Sequence, residues 1–420
     1  MPITRRLLLG STLATLASWP ARAEPPAGGD MRVIEARPTA LRLRPESETA
    51  AFGFDGQVPG PILRVARGSE VRVRLVNRLD QPMSLHWRGV RIDNAMDGVA
   101  GLTQKAAPPG GAFDYRFTPP DPGFFAFHPQ AEGVSGAQIG RGLSGFLIVE
   151  EAEPPAVDRE LFAAVHEWPE AGLTTLNARA PPLVETAPPG ARVRLRLVNT
   201  TPSQVHIVSF FGVRPLVVAI DGQPCDPFEP VRQTIPVGPL ARFEIMFDMP
   251  DQAGAEGGLT LRGRNAPDQT LARLRAEGAP IARAAPLPAI GLPLNPALPP
   301  AIKLAEAFKL DIAMDASLGG AAFSGFAAKP LFSVKRGTGV SLGLVNRGEA
   351  AQQAHLHGHH ARLLHDLDDG WEPYWRDSIL VPANKTKRIA FLADNPGKWA
   401  LDRWQIGPAP AGGSGWFEVT

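Results

Sequence analysis

The sequence predicts an all-β chain made of three consecutive β units, and three observations carry that reading. The first is a repeat. Val71-Arg72-Val73-Arg74-Leu75-Val76-Asn77, Arg192-Val193-Arg194-Leu195-Arg196-Leu197-Val198-Asn199 and Val340-Ser341-Leu342-Gly343-Leu344-Val345-Asn346 each alternate apolar residues at every second position and end in Leu-Val-Asn, the pattern of a strand with one buried face. The second is composition: Gly 43 and Pro 44, spread without a short period, with few long helical patterns, fit a turn-rich β protein and not a collagen. The third is length, because 420 residues exceed what one compact core organises.

Taken in order, residues 1–23 read as a signal peptide with a twin-arginine flavour. Thr4-Arg5-Arg6 precedes an apolar run from Leu7 to Trp19, and Ala21-Arg22-Ala23 supplies a small-x-small cleavage site. The run is short for a bilayer span, so the expectation is an exported, periplasmic protein with no stable membrane span after cleavage. Residues 31–152 form the first unit, closed by the Pro154-Pro155 boundary. Residues 157–284 form the second. Residues 285–300, from Ala285-Pro286-Leu287-Pro288 to Pro299-Pro300, form a proline-rich linker expected to be extended. Residues 301–420 form the third. In each unit the Leu-Val-Asn strand enters a polar turn and a second strand follows: Met83–Trp87, Val205–Phe210 and Ala354–His357.

Several function classes drop out. A formal net charge of +1 gives no electrostatic footprint for nucleic acid. Cys225 is the only cysteine, so the chain holds no internal disulfide. It lies in a turn-like Asp221-Gly222-Gln223-Pro224 context with no neighbouring histidine and reads as a small buried side chain. No phosphate-cradling loop or nucleophile elbow is present, Ser144 included, and Asp368-Asp369 does not read as an acid–base pair.

Histidines carry the chemical signal. His86 lies eleven positions after Leu75, and His355 eleven after Leu344, so the first and third units place a histidine at one structural address. His206 lies nine positions after Leu197 and reads as structural. The third unit writes His355-Leu356-His357-Gly358-His359.

Ordered motifs then make a family resemblance specific. The first unit carries His86-Trp87-Arg88-Gly89, Met96-Asp97-Gly98, Phe124 to Gln130 with His128, and Gly142-Leu143-Ser144-Gly145. The third carries His355-Leu356-His357-Gly358-His359, Asp368-Asp369-Gly370-Trp371, Asp394-Asn395-Pro396-Gly397 and Trp399. The chain resembles three-domain multicopper oxidases of the laccase and copper-efflux-oxidase type across almost all of its mature length. That resemblance implies three cupredoxin-like Greek-key β-sandwich domains.

It also implies two copper centres, and the carry-over is incomplete. Family members hold a mononuclear blue copper with two His, a Cys and an axial Met; the matching positions here are Gln352, Arg403, Pro408 and about Gly413. A guanidinium in place of a thiolate repels copper in either oxidation state. Family members hold a trinuclear cluster with four His-x-His pairs. The matching pairs are His86/Arg88, His128/Gln130, His355/His357 and Asp402/Trp404. His86, His128, His355 and His357 are thus the remnant metal positions. An Arg88–Asp402 ion pair is expected to fill the space between them. His359 is expected to pack and not to ligate.

The expectation is an exported multicopper-oxidase-like protein without a type 1 copper, acting as a non-oxidase binding or scaffold protein with an unidentified protein partner. It is comparable to copper-free members of the SufI type. The alternative is a residual copper-binding protein or oxidoreductase that holds one copper ion at a remnant type 2-like site.

Overall fold

Each Leu-Val-Asn strand is the spine of one β-sandwich. In all three it pairs parallel with the first strand of its unit and antiparallel with a later one: Val71–Asn77 with Arg32–Ala36 and Ala112–Phe117, Arg192–Asn199 with Arg159–Val165 and Arg242–Asp248, Thr338–Asn346 with Phe308–Ala313 and Lys385–Ala393. The computed structural model describes residues 31–263, 266–283, 285–314, 318, 329–365, 370–407 and 412–420. Residues 1–23, expected to be a signal peptide, and Ala284, Asp368-Asp369 and Pro408 lie outside the described residues.

The repeated asparagine has a physical reason. Asn77, Asn199 and Asn346 are buried, and each side chain ties down the loop that leaves its strand. Asn77 Nδ2 donates to the carbonyls of Gln81 (2.8 Å) and Ala107 (3.0 Å) and its Oδ1 accepts from Leu79 N. Asn199 repeats this with Gln204, Val237 and Thr201. Asn346 repeats it with Ala350, Val381 and Gly348. Neither a carboxylate nor an apolar side chain offers donors and an acceptor together.

Two sheets make each sandwich. The first unit stacks Ser47–Phe54, Arg32–Arg44, Val71–Asn77 and Ala112–Phe117 against Ile62–Ala66, Gly145–Glu150, Gly123–Pro129 and Leu85–Arg88. The second unit has sheets of six and five strands, the third of four and five. One strand departs from its sequence pattern. Arg192–Asn199 alternates in sequence yet is buried throughout, because carboxylates cover its polar face. Arg194 sits against Glu244 (2.6 Å) and Glu151, and Arg196 against Glu160 (2.9 Å). Glu151 belongs to the end of the first unit, so the Arg194–Glu151 pair fastens the first two sandwiches together.

A single cluster of buried apolar residues runs through the first and third units, from Ile34 and Trp87 to Leu356 and Trp399. The second unit has its own core, which contains Cys225. Burial pushes the Cys225 thiol up to about 12, as its reading as a packing residue requires. The histidine-bearing strands meet where the first and third units join.

Candidate metal centre

Strand register builds the site. In the first unit Leu85–Arg88 runs antiparallel to Gly123–Pro129 and sets His86 directly across from His128. In the third, Gln352–Leu356 runs antiparallel to Gly397–Gln405 and sets His355 directly across from Asp402. The two strand pairs are equivalent, so Asp402 occupies the address that His128 has in the first unit. Arg88 and His357, each two residues beyond a leading histidine, are likewise equivalent.

The four histidines come together and are buried. The ring centroids of His86 lie 5.3 Å from His128, 5.2 Å from His355 and 3.9 Å from His357. Ring nitrogens of His86, His355 and His357 lie within 4.8 Å of one another.

Hydrogen bonds fix which nitrogens carry protons. His86 Nδ1 lies 2.8 Å from the Asp97 carbonyl, His355 Nδ1 3.1 Å from the Asp377 carbonyl, and His128 Nδ1 2.9 Å from the Pro129 carbonyl. Carbonyl oxygens only accept, so all three Nδ1 atoms are N–H and each neutral ring keeps its lone pair on Nε2. Carboxylate oxygens of Asp97 and Asp377 back the first two at 3.2 and 3.4 Å. His86 and His355 Nε2 then face each other at 2.9 Å, while His128 Nε2 has no hydrogen-bond partner.

Burial drives the three rings toward the neutral form. It is the first cause for His86, reinforced by His357; for His128 and His355 it is reinforced by neighbouring positive groups that include Arg88. Two neutral rings with lone pairs 2.9 Å apart repel unless a proton or a cation lies between them. The donor set therefore fits a metal ion at His86 and His355: two facing imidazole Nε2 lone pairs, buried, with their tautomers set by acceptors behind them.

His357 is different. Its Nδ1 lies 3.0 Å from Asp97 Oδ2 and its Nε2 2.9 Å from Asp402 Oδ2. Both nitrogens face ionised acceptors, so both carry protons. Burial opposes that charge, but the carboxylates of Asp97 and Asp402 outweigh it and raise the ring to about 9. Both carboxyls are held well below the usual range against the pull of burial, chiefly by His357. The ring is an imidazolium in a buried triad, with no lone pair for a metal.

The expected Arg88–Asp402 ion pair does not form. Asp402 is engaged by His357, by Gln130 Nε2 (2.8 Å) and by Ser414 Oγ (2.6 Å). Arg88 turns instead to the third unit, where its Nη2 donates to Ser378 Oγ (2.7 Å) and its Nε lies 3.8 Å from Asp377 Oδ1. The long guanidinium reaches past the imidazoles to a carboxylate that Arg242 already holds. Burial lowers Arg88 to about 10 against the opposing pull of Asp377, which leaves it charged at neutral pH.

At the positions that the resemblance assigns to blue-copper ligands, Arg403 Nη1 donates to Gln352 Oε1 (3.2 Å), and Gln352 Nε2 to Asn346 Oδ1. Arg403 pairs in register with Gly413. His359 packs among Phe391, Trp399 and Phe417. His206 bonds Thr201 in the second unit.

Sequence reasoning passed over Asp97 and Asp377 as site residues. Asp97 had a signal in Met96-Asp97-Gly98, whose glycine is required: a Cβ on Gly98 would lie 1.9 Å from the Leu85 carbonyl. Asp377 had none in its own stretch of sequence, since it takes its part by lying beside His355 and receiving Arg88 and Arg242 from the other two units.

Comparison with known proteins gives a consistent picture. Family models described as multicopper oxidase match residues 36–154 and 295–402. A multi-copper oxidase from Pseudomonas thermotolerans superposes with a TM-score of 0.80 at 32% identity, covering 94% of this chain and 100% of that one. Lac15 from a marine microbial metagenome gives 0.79 at 32% identity, covering 93% and 100%. The multicopper oxidase MmcO of Mycobacterium tuberculosis is 26% identical over 93% of this chain and 88% of its own length.

Proposed function

The chain belongs to the multicopper oxidase family, and from that premise we propose that it is an exported member that has given up the four-copper oxidase cycle and holds one copper ion at His86 and His355. The single observation that carries this is the 2.9 Å approach of two Nε2 atoms whose rings already donate from Nδ1. A copper ion there would supply one-electron redox capacity and a positive charge. The chain's own groups do the rest. Asp97 and Asp377 hold the two tautomers. Asp97 and Asp402 keep a proton on His357. Burial keeps solvent water from the rings.

Loss of the oxidase cycle rests on the electron-entry side. Gln352 and Arg403 bond each other where the family places His and Cys, and a hydrogen-bonded guanidinium supplies neither thiolate nor lone pair. Asp402 and Gln130 stand at two further ligand positions, bonded to each other. Export is part of the same proposal and rests on Thr4-Arg5-Arg6 and its apolar run; among the described residues no helix is long and apolar enough to cross a membrane. Arg5-Arg6→Lys-Lys should leave the precursor inside the cell, and unchanged export would remove the twin-arginine route.

The test is copper stoichiometry after Cu(I) loading and desalting. About one copper per chain is expected in the wild type and close to none in His86→Ala/His355→Ala. A second reading, a copper-free scaffold that binds a protein partner, draws on the buried positive charge of Arg88 beside the rings. Zero copper in both proteins would select it.

A further inference from the structure

A cavity of about 980 Å³ opens beside the imidazole cluster, where all three sandwiches contribute walls. The helix Ser135–Gly140 lines one side, Trp168 and Pro169 another, and Asp402 and Trp404 a third. That volume, at a domain junction, with aromatic and small apolar walls and a few polar groups, suits a small organic molecule.

The polar groups set the sign of its charge. Glu132, Glu167 and Glu170 lie on the walls, and among the described residues none of them forms an ion pair. The arginines on the walls are engaged elsewhere: Arg141 lies 3.9 Å over the Phe52 ring and Arg403 bonds Gln352. Glu167 is half-buried, and burial raises its carboxyl above the ordinary value with no cation to offset it.

Gln130 gives an independent sign. It lines the cavity and is 8% exposed. Its Nε2 donates to Asp402 Oδ2 at 2.8 Å. A carboxylate only accepts, so the amide cannot flip, and Oε1 is turned away from Asp402 with no donor of its own. A buried acceptor without a donor beside unpaired carboxylates calls for a ligand that brings N–H groups and positive charge.

We propose that this cavity binds a small organic cation with a flat apolar body, its ammonium group met by Glu167 and the free acceptor of Gln130 and its body by Trp168 and Trp404. The site does not depend on copper and stands apart from the copper proposal. The test is calorimetric titration of the chelator-treated full-length protein at neutral pH with naphthylmethylammonium, with naphthylmethanol as its neutral isostere and with naphthoate. The cation should bind saturably at about one per chain and about tenfold tighter than the alcohol, the gain of one charge-assisted contact. Naphthoate should bind weakest. Glu167→Gln should bring the cation and the alcohol within about twofold of each other, with the alcohol unchanged. Trp404→Leu should weaken both. Equal affinity for cation and alcohol in the wild type, no saturable cation binding, or a preference that survives Glu167→Gln would each overturn the proposal. Glu167→Gln retains the folded circular dichroism spectrum, since the side chain has no bonded partner to lose.

Discussion

His86 and His355, 269 positions apart in the chain, bring their Nε2 atoms to 2.9 Å with both opposite ring nitrogens already donating to carbonyl oxygens. The arrangement leaves two lone pairs facing each other in a buried site. It is the point at which the fold, the surviving ligands and the proposed function meet.

Protonation of His357 makes stability depend on pH. Its ring is raised from 6.5 to about 9 in the folded chain. The stabilisation is therefore present in full below about pH 6.5 and is lost as pH rises through about 9, a change on the order of 3 kcal/mol. Denaturant midpoints of the metal-free protein across that window should fall with pH in the wild type and stay flatter in His357→Gln. An equal slope in both would show that His357 is not the titrating group.

Asp402→Asn tests the same triad from the other side. It leaves the His357 charge with one buried carboxylate in place of two. The expected cost at neutral pH is about 3 kcal/mol, with the His357 ring titrating closer to its ordinary value by NMR. Copper affinity should rise, because a neutral His357 offers a further lone pair.

The two buried arginines at the junction should differ. Arg242 bonds Asp377, the carbonyls of Phe124, Leu240 and Asp221, and lies fully buried. Arg88 bonds Ser378, while its Nε and Nη1 have no hydrogen-bond partner. Arg242→Met should cost about 3–5 kcal/mol by removing the cation that Asp377 bonds most closely, and Arg88→Met about 1 kcal/mol or less, since Asp377 keeps Arg242. Arg88→Met should also tighten copper by about tenfold, because it removes a like charge near His355 and His128. Chemical denaturation and a Cu(I) competition titration read the two effects.

Much of this was legible in the sequence. The Leu-Val-Asn repeat marked the spine strand of each sandwich, and the common spacing to His86 and His355 marked one address in two units. What the sequence hid depends on side chains that meet across units. Arg88 looked like a partner for Asp402, but Asp402 is claimed by His357 and Gln130, and Arg88 is long enough to reach Asp377. His357 looked like a ligand equal to His355. The approach of Asp97 from the first unit, opposite Asp402, turns it into an imidazolium. The alternation of Arg192, Arg194 and Arg196 suggested an exposed face, which the carboxylates around Arg194 and Arg196 bury.

The repeated asparagine can be checked directly. Asn346→Ala removes bonds to the carbonyls of Ala350, Val381 and Pro382 and the acceptor for Gly348 N. Leaving those groups unpaired should cost about 2–3 kcal/mol. A loss under about 0.5 kcal/mol in equilibrium denaturation would mean that water replaces the side chain.

The most direct test of the copper site is the electron paramagnetic resonance spectrum of the protein loaded with one equivalent of Cu(II). The expected signal is that of a single nitrogen-ligated copper with superhyperfine coupling from imidazoles; the visible spectrum of the same sample should lack the intense band near about 600 nm that a thiolate–copper bond produces, and the resonance signal should vanish in His86→Ala/His355→Ala. The same signal persisting in that double variant would place the copper elsewhere and contradict the account.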